Sequence, residues 1–453
     1  MKPAVRIAYQ SALSNATAYE AGGDLDAAFA EVERAHILGQ RHLLPHIVTH
    51  LRMLRIGWKR RDARELVGQV VRLVATVPGW LTGWVPKGNP GGANVSALKP
   101  VPLEPDLQAL LADFVVWRDV AWRVAVYGVV AALALGTLAA MDRKRGDEAA
   151  AIEREWQARR PQPLADFGTT RTLEVIPVVN FRARPGLKSE AGVSYLVKTD
   201  TQTILFDLGF NRRDEPVSPL QHNLDALGID RSQLDAVFLS HAHRDHLGGA
   251  AWEKSRSFGF GPTQPPLGRT RAIAPVTLTY PGRTVEVADR PTALMPGVAS
   301  TGPIARRLFI GRIDEQALVI HLEGRGLVAI VGCGHQTMPK LVQRIRENFD
   351  APLIGLVGDV HYPHPEGRLW MVGIDVQRRL ASGDGLWAPI GIDRIGAELQ
   401  AFAGQLQFLA LGSHDTSDEV LDLAGRTLGD RFQRVVAGEP IRVIASTAGA
   451  PRP

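Results

Sequence analysis

Apolar residues recur at helical spacing over the first part of the chain. Positions three and four apart are apolar in 25–38 and again in 48–74, which predicts amphipathic helices. A Gly-Gly-Asp turn before the first of them predicts a helical hairpin whose second helix ends near Gly39. The Gly- and Pro-rich stretch 84–105 predicts irregular structure. We therefore expect residues 1–112 to form a small all-α domain of unknown function.

A longer apolar run interrupts this pattern at 124–141. Its eighteen residues carry no charge, Trp117 and Trp122 precede it, and the charged cluster DRKR follows it. Such a helix just reaches across a bilayer, and aromatic and basic flanks are typical of membrane anchors. We expect a transmembrane helix within 113–145 and a single-pass protein of the bacterial inner (cytoplasmic) membrane. A buried helix is the alternative, because six of the eighteen residues are alanine.

The orientation of this anchor stays open. Basic residues after the run outnumber those before it, which favours a cytoplasmic C-terminal side. That orientation requires translocation of the whole N-terminal region, and residues 1–20 lack the apolar core of a secretory signal. The two observations conflict.

The pattern changes again after the apolar run. Residues 146–170 are typical of a charged helix followed by a Pro-rich linker. From residue 172 onward, short β-rich runs alternate with helical stretches, which predicts an α/β fold over 171–445. Residues 446–453 are expected to form a flexible tail.

Composition narrows the chemistry. Apolar residues make up 45% of the chain and charged residues 22%, which excludes a disordered chain and a polytopic membrane protein. The single cysteine, Cys333, excludes an intrachain disulfide and a CxxC metal site, so a metal would need mainly His and carboxylate ligands. The net charge of +5 favours an anionic small-molecule substrate. Because Lys and Arg are dispersed, no nucleic acid partner is expected.

The highest density of metal-ligand side chains lies in SHAHRDHLGG, residues 240–249, directly after the apolar strand 234–239. Within six positions the segment carries four ligand-type side chains: His241, His243, Asp245 and His246. On a loop that leaves a strand, the first two can face one metal while the last two, at the start of a helix, face a second. The motif therefore predicts a dinuclear metal site.

This HxHxDH pattern resembles the signature of the metallo-beta-lactamase superfamily. The resemblance implies an αββα sandwich with the metal site at one edge of its sheets. Over residues 173–443 the chain further resembles the dihydropterin-ribofuranosylaminobenzene-phosphate synthase-like branch. Two motifs depart from that branch: 190–192 is EAG where members have EHG, and 414–417 is HDTS where members have HCTG. The pterin substrate is therefore not carried over.

The N-terminal part, with the loop GNPGGANVS, resembles a small family of uncharacterised bacterial proteins. That resemblance implies no function. Three histidines in this part carry the only chemistry that the pattern indicates: His36, His46 and His50. His46 and His50 share one face of a helix that Pro45 is expected to begin. With His36 they predict either a second metal-handling site or a polar seam between helices.

Two metals in the motif region need six ligands, which we assign as His241, His243 and His335 for one metal and Asp245, His246 and His414 for the other. Asp245 and His246 are also the expected catalytic residues. Two zinc ions are expected, with iron or manganese as alternatives. Other residues are expected to bridge the metals, orient their ligands or face the substrate: Asp207, Cys333, Asp359, His361 and His364. Asp207 fits the orienting carboxylate, and the choice of Asp359 or Cys333 as the bridge stays open.

The remaining candidate residues are less specific. His222 and His321 are expected to be structural. A substrate wall with one anion-binding group is expected from residues of the loop-rich parts: Trp252, Trp370, Trp387, Phe408 and Arg368.

Together the patterns predict a membrane-anchored dinuclear zinc hydrolase. It would cleave an ester, lactone or phosphoester bond of a small molecule by attack of a hydroxide held between the metals. The alternative is a membrane-tethered metal-binding or sensing protein that keeps the fold without turnover.

Overall fold

The structure is a computed structural model that describes residues 1–164, 166–385 and 387–444. The expected tail at 446–453 lies outside the described residues. The chain divides into two compact units, Met1–Ala139 and Ala140–Pro453. The boundary falls inside a helix, whereas the sequence suggested separate segments on either side of residue 145.

Helices make up the first unit. They are α1 (Pro3–Ala21), α2 (Leu25–Gly39), α3 (Leu43–Arg60), α4 (Ala63–Thr82), α5 (Pro105–Leu110) and α6 (Val116–Ala158), the last of which continues into the second unit. The side chain of Asp24 caps α2 by accepting from the Ala27 N–H at 2.9 Å. Residues 83–104, all of them described, contain no helix or strand, as their Gly and Pro content predicts.

One helix start differs from the sequence prediction. Helix α3 begins at Leu43, with His42 at its N-cap, and not at Pro45. Proline is tolerated at this third position because the first four N–H groups of a helix have no partner within it. His46 and His50 still share one face, as their spacing predicts.

Helix α6 is a single helix of 43 residues. We expected a separate charged helix after the apolar run, but Gly146 alone does not end the helix because Ala, Glu and Arg around it are strong helix formers. An 18-residue window of α6 has a mean hydropathy of 2.1 and no buried residue, so α6 could span a membrane by length and composition. Ile152 and Trp156, near its C-terminal end, are buried in the second unit.

Strands and helices alternate in the second unit. The described strands are β1 (Thr172–Val179), β2 (Ser194–Thr199), β3 (Thr203–Phe206), β4 (Ala236–Phe238), β5 (Arg271–Ala274), β6 (Val285–Val287), β7 (Thr292–Met295), β8 (Val298–Ser300), β9 (Ile304–Leu308), β10 (Gly311–Glu315), β11 (Leu318–Leu322), β12 (Gly326–Ile330), β13 (Leu353–Gly358), β14 (Trp370–Met371), β15 (Ile374–Asp375), β16 (Phe408–Leu411), β17 (Phe432–Arg434) and β18 (Ile441–Ile444). The further helices are α7 (Pro219–Ala226), α8 (Ala250–Ser255), α9 (Met338–Asn348), α10 (Val376–Ala381), α11 (Ile392–Gln405) and α12 (Asp418–Leu428).

Among these strands are two seven-stranded sheets. Their strand orders are β18-β1-β2-β3-β4-β5-β6 and β17-β16-β13-β12-β11-β8-β7. Strands β9 and β10 pair with each other, as do β14 and β15.

The alternation of side chains along the central strands places the two sheets face to face. Ile204 and Phe206 of β3 pack in one core with Ile330 of the other sheet. Leu205, between them, points to the opposite face and packs with Leu224 of α7. Helices α9, α11 and α12 cover the outer face of the second sheet. The layers are therefore helix, sheet, sheet and helix, which confirms the predicted mixed α/β sandwich.

Parallel strands bring the chemistry to one edge of the sandwich. Strands β3 and β4 are parallel in the first sheet, and β12, β13 and β16 are parallel in the second. The carboxyl ends of parallel strands share an edge of the sheet, which is where α/β proteins place their ligands. The segments that follow these five strands begin at residues 207, 239, 331, 359 and 412.

Candidate metal centre

Asp207 organises the loop that carries the HxHxDH motif. It follows β3 with a φ of 55°, a conformation that Asp tolerates better than most residues, and it is fully buried. Its carboxylate accepts from the Ser240 N–H at 2.7 Å and from the Ser240 hydroxyl at 2.7 Å. Oδ2, the carboxylate oxygen that accepts from the hydroxyl, also lies 2.6 Å from Nδ1 of His246. Asp207 therefore contacts the imidazole of His246, which the sequence predicts to be a metal ligand.

These hydrogen bonds assign the tautomers of two histidines. Because Oδ2 of Asp207 already accepts from the Ser240 hydroxyl and a carboxylate oxygen is an acceptor, the proton of this contact lies on Nδ1 of His246. The Ser240 hydroxyl donates to Asp207, so its oxygen accepts from Nδ1 of His241 at 2.9 Å. When these rings are neutral, Nε2 of each presents the lone pair that a metal ligand needs.

The three residues expected to bind the first metal, His241, His243 and His335, lie close together. Nε2 of His241 is 3.1 Å from Nδ1 of His243. The ring of His335 lies 5.1 Å from that of His241 and 5.2 Å from that of His243, centroid to centroid. His335 comes from the loop after β12, so the second sheet completes a group that the first sheet begins.

The second expected set is also assembled. Nε2 of His414 lies 3.0 Å from Oδ2 of Asp245, and Nε2 of His246 lies 3.9 Å from the same oxygen. Ligand atoms of these three residues and of Cys333 all lie within 4.8 Å of one another.

Cys333 joins the two sets. Its sulfur is 2.9 Å from Nε2 of His246, and it also lies within 4.8 Å of the ligand atoms of His241 and His335. Asp359 has a different position: its carboxylate accepts from the His414 N–H at 3.0 Å and from the Thr416 hydroxyl at 2.6 Å. Of the two residues that the sequence left open, Cys333 therefore lies between the ligand sets, and Asp359 supports the loop after β16.

Asp415 was missed by the sequence analysis. Its Oδ2 lies 2.9 Å from Nδ1 of His361, and its other oxygen accepts from the side-chain amide of Gln377. The ring of His361 in turn lies beside that of His335, with the centroids 4.3 Å apart and the ring planes tilted by 50°. The signal was the aspartate next to His414, where the similar branch has cysteine, but the chain offered no sign that His361 and Gln377 fold onto it.

Glu315 was also missed, since no motif surrounds it. It ends β10, is fully buried, and accepts three backbone N–H groups: those of Cys333 at 3.0 Å, Gly334 at 2.9 Å and His335 at 2.6 Å. Burial raises the pKa of Glu315 to about 7, against these hydrogen bonds. The carboxylate fixes the turn that presents two of the ligands.

Burial and neighbouring charges shift the pKa values of the site residues in different directions. Burial and then the neighbouring imidazoles lower the pKa of His241 well below its ordinary value. Burial acts the same way on His414, but Asp415 and Asp245 outweigh it and raise the pKa of His414 to about 10. Burial would raise the pKa of Asp415, yet the charges of His414 and His361 hold it well below its ordinary value.

The donor set fits divalent cations. Nδ1 of His335, Nε2 of His361 and Nδ1 of His414 are buried without a hydrogen-bond partner in residues 1–164, 166–385 and 387–444. Such unpaired buried atoms are rare in folded proteins unless a ligand or ion contacts them. Imidazole, carboxylate and one thiol are the donors that zinc and iron accept, and manganese accepts the first two.

The expected substrate wall is only partly supported. Arg368 is not a free anion-binding group, because its guanidinium donates to the Ser413 carbonyl at 2.6 Å and lies 3.3 Å from Asp418. Phe408 packs against the core between the sheets, and Trp252 packs against the outer core of the first sheet. Trp370 and Trp387 are exposed.

The remaining histidines have local partners. Nε2 of His222 lies 3.2 Å from the Gly186 carbonyl, and Nδ1 of His321 lies 3.1 Å from the Gly168 carbonyl. Both positions agree with the structural roles expected of them. His364, near the cis peptide bond to Pro365, contributes its carbonyl to the Ser417 hydroxyl.

Comparisons with known proteins agree with this description. Residues 189–371 match the family model described as the metallo-beta-lactamase superfamily, and residues 3–111 match that of a protein of unknown function, DUF3703. The second unit therefore contains a metallo-beta-lactamase superfamily domain. The synthase-like branch stays a prediction. No curated protein matches the chain.

Similar solved structures have low sequence identity. A metal-dependent hydrolase of the beta-lactamase superfamily is 21% identical, with a TM-score of 0.41, and the match covers 60% of this chain and 99% of that one. The metallo-beta-lactamase fold protein YhfI from Bacillus subtilis is 15% identical, with a TM-score of 0.37, and the match covers 60% of this chain and 100% of that one. A diphosphatase from the PhnP family is 16% identical, with a TM-score of 0.35, and the match covers 60% of this chain and 96% of that one.

Proposed function

We propose that the metallo-beta-lactamase superfamily domain is a dinuclear, metal-dependent hydrolase of small molecules that carry an ester, lactone or phosphoester bond. One observation carries the proposal: two ligand sets meet at Cys333, each built from both sheets. A single structural metal would need only one of these sets.

Two divalent cations, when bound, would lower the pKa of a water molecule and stabilise the negative charge that develops on the attacked centre. Six residues and the thiol between them would hold the cations: His241, His243, His335, Asp245, His246, His414 and Cys333. We propose zinc, because histidine, carboxylate and thiolate suit it, with iron or manganese as the alternatives to be tested.

The surrounding groups hold this set in place. Asp207 fixes the proton of His246 on Nδ1 and, through Ser240, that of His241. Glu315 fixes the backbone of the turn from Cys333 to His335. A catalytic set positioned by such contacts loses little free energy to reorganisation during the reaction.

His361 and Asp415 are proposed to face the substrate. Asp415 accepts from Nδ1 of His361, which leaves Nε2 of that ring without a partner among the described residues. Held in this way, Nε2 of His361 can accept a proton from, or donate one to, an atom of the bond that is cleaved. Asp245 and His246 are the other residues to which we assign a catalytic role.

We also propose that α6 anchors the protein in the bacterial inner membrane as a single span. Support comes from its length, its mean hydropathy of 2.1 and the absence of buried residues in the apolar window. The substrate is proposed to be anionic because the net charge is +5. Because phosphoesters are themselves anionic, they are the first class to test.

The test is hydrolysis by the full chain of a panel of chromogenic esters, lactones and phosphoesters. His243→Ala is expected to abolish turnover of the active class while circular dichroism shows an unchanged fold. His222→Ala is the matched control and should retain activity, because Nε2 of His222 contacts the Gly186 carbonyl and no candidate metal ligand among the described residues. Turnover that survives in His243→Ala would contradict the proposal and favour a metal-binding or sensing role without catalysis.

A further inference from the structure

Three histidines of the helical unit point one nitrogen each at a common position. His36 lies on α2, and His46 and His50 lie one turn apart on α3. Nε2 of His50 is 3.0 Å from Nε2 of His46 and 3.3 Å from Nε2 of His36. All three side chains are buried. We refer to His36, His46 and His50 as the histidine triad.

Hydrogen bonds assign the tautomers of two triad members. Nδ1 of His36 lies 3.0 Å from the Asn89 carbonyl, which only accepts, so its proton sits on Nδ1. Nδ1 of His50 lies 2.7 Å from Oε1 of Gln69. The amide nitrogen of Gln69 is engaged with Glu65 at 2.6 Å and the Gly91 carbonyl at 2.8 Å, so its oxygen is the acceptor and His50 is protonated on Nδ1.

Two lone pairs therefore face each other across 3.3 Å, on Nε2 of His36 and of His50. A proton on Nε2 of His46 can satisfy one of them but not both. Nδ1 of His46 has no partner in the part of the chain that the structure describes, so the proton of this ring can also sit there and leave a third lone pair. A polar seam between helices would pair these nitrogens, whereas a cation at their centre satisfies all three at once.

The Gly- and Pro-rich loop is shaped around the triad. The Asn89 side-chain amide donates to the Ser96 and Lys99 carbonyls, each at 2.8 Å, and its oxygen accepts from the Gly91 N–H at 3.0 Å. Gly91 has a φ of +90°, and a Cβ there would lie 2.9 Å from atoms of the His36 ring. The loop motif thus closes on His36 and holds it through the Asn89 carbonyl.

The triad lines a cavity of about 280 Å³. Arg72 and Trp84 are among its other lining residues. Arg72 donates to the Gly92 carbonyl at 2.9 Å, and the Glu65 carboxylate partly offsets its charge. A carboxylate, an amide and an imidazole follow one another from Glu65 through Gln69 to His50, a chain that raises the basicity of Nε2.

We propose that the histidine triad is a mononuclear binding site for a divalent transition metal, with a coordination position open to the cavity. Three imidazole nitrogens suit zinc, cobalt, nickel and copper. Sites that complete four protein ligands are structural, whereas three ligands leave a position for water or a small anion. The helical unit then handles metal with its own residues, independently of the hydrolase domain.

The test measures zinc per chain by elemental analysis on the full-length protein. Relative to the unmodified chain, His46→Gln and His50→Gln are each expected to lose about one zinc. His42→Gln is the matched control, because His42 occupies the N-cap position of the same helix but lies outside the triad. Circular dichroism verifies that each variant keeps its helices.

Loading with Co²⁺ gives a second readout. The difference spectrum between the unmodified chain and His46→Gln should show visible ligand-field bands without a thiolate charge-transfer band, since the triad has no sulfur. Added azide should shift those bands if a coordination position is open. His46→Cys should regain the metal and add the thiolate band. Folded His46→Gln and His50→Gln variants with unchanged zinc content and unchanged cobalt spectra would overturn the proposal.

Discussion

Oδ2 of Asp207 lies 2.6 Å from Nδ1 of His246, across a sequence separation of 39 residues. This contact explains how a short loop holds the ring of His246 in one orientation before any cation binds, with Nδ1 on Asp207 and Nε2 turned toward Cys333. The parallel pairing of β3 with β4 places the two residues together.

We predict that Asp207→Ala weakens metal binding by the domain about 10- to 100-fold, because His246 and His241 lose the group that fixes their tautomers. Competition with a chromophoric chelator measures the affinity. Asp235→Ala is a matched control, since Asp235 also caps a strand of the same sheet, through the Thr203 N–H, without contacting a ligand. Equal affinities for the two variants would show that the contact is not needed.

Cys333 is the only cysteine of the chain, which makes its ligation visible. We predict that the Co²⁺-loaded protein shows a near-ultraviolet thiolate charge-transfer band and that Cys333→Ser abolishes it. A band that persists in the variant, or that is missing from the unmodified protein, would place the thiol outside the metal centre.

Glu315→Ala is expected to destabilise the second unit by about 3 kcal/mol or more, because three buried N–H donors lose their acceptor at about 1–3 kcal/mol each. Glu315→Gln keeps one acceptor oxygen and should be less harmful. Urea unfolding of the two variants checks the order. Identical unfolding of Glu315→Ala and the unmodified chain would show that water replaces the carboxylate.

Glu33 is expected to make the stability of the helical unit depend on pH. Burial and then the charge of Glu65 raise its pKa from 4.5 to about 7. A carboxyl whose pKa is higher in the folded state stabilises the fold at low pH, and this contribution is lost as the pH rises from 4.5 to about 7. Glu33→Gln should therefore raise the melting temperature at pH 8 more than at pH 5, as thermal denaturation can measure. An equal effect at both pH values would contradict the pKa shift.

Local pattern was enough for much of the fold. The end of α2 at Gly39 agrees with the sequence prediction, because periodicity and a terminal Gly act within one turn. The continuity of α6 was not predicted. The charged cluster that stops a membrane segment does not stop a helix, since charged residues propagate it well.

The candidate site, like the fold, was predictable from the sequence only in part. Residues within the HxHxDH motif are close in sequence, so their shared loop was predictable. Cys333 lies 87 residues from His246, and Asp415 lies 54 residues from His361. Their positions depend on how the two sheets pack, which short-range pattern does not specify.

The most direct test of the dinuclear centre is the zinc content of full-length His46→Gln, which lacks the proposed site in the helical unit. We predict about two zinc ions per chain, and a loss of both when His241→Ala and Asp245→Ala are added. One zinc or fewer per chain, or a content that these two substitutions leave unchanged, would contradict the dinuclear centre and with it the proposed hydrolase.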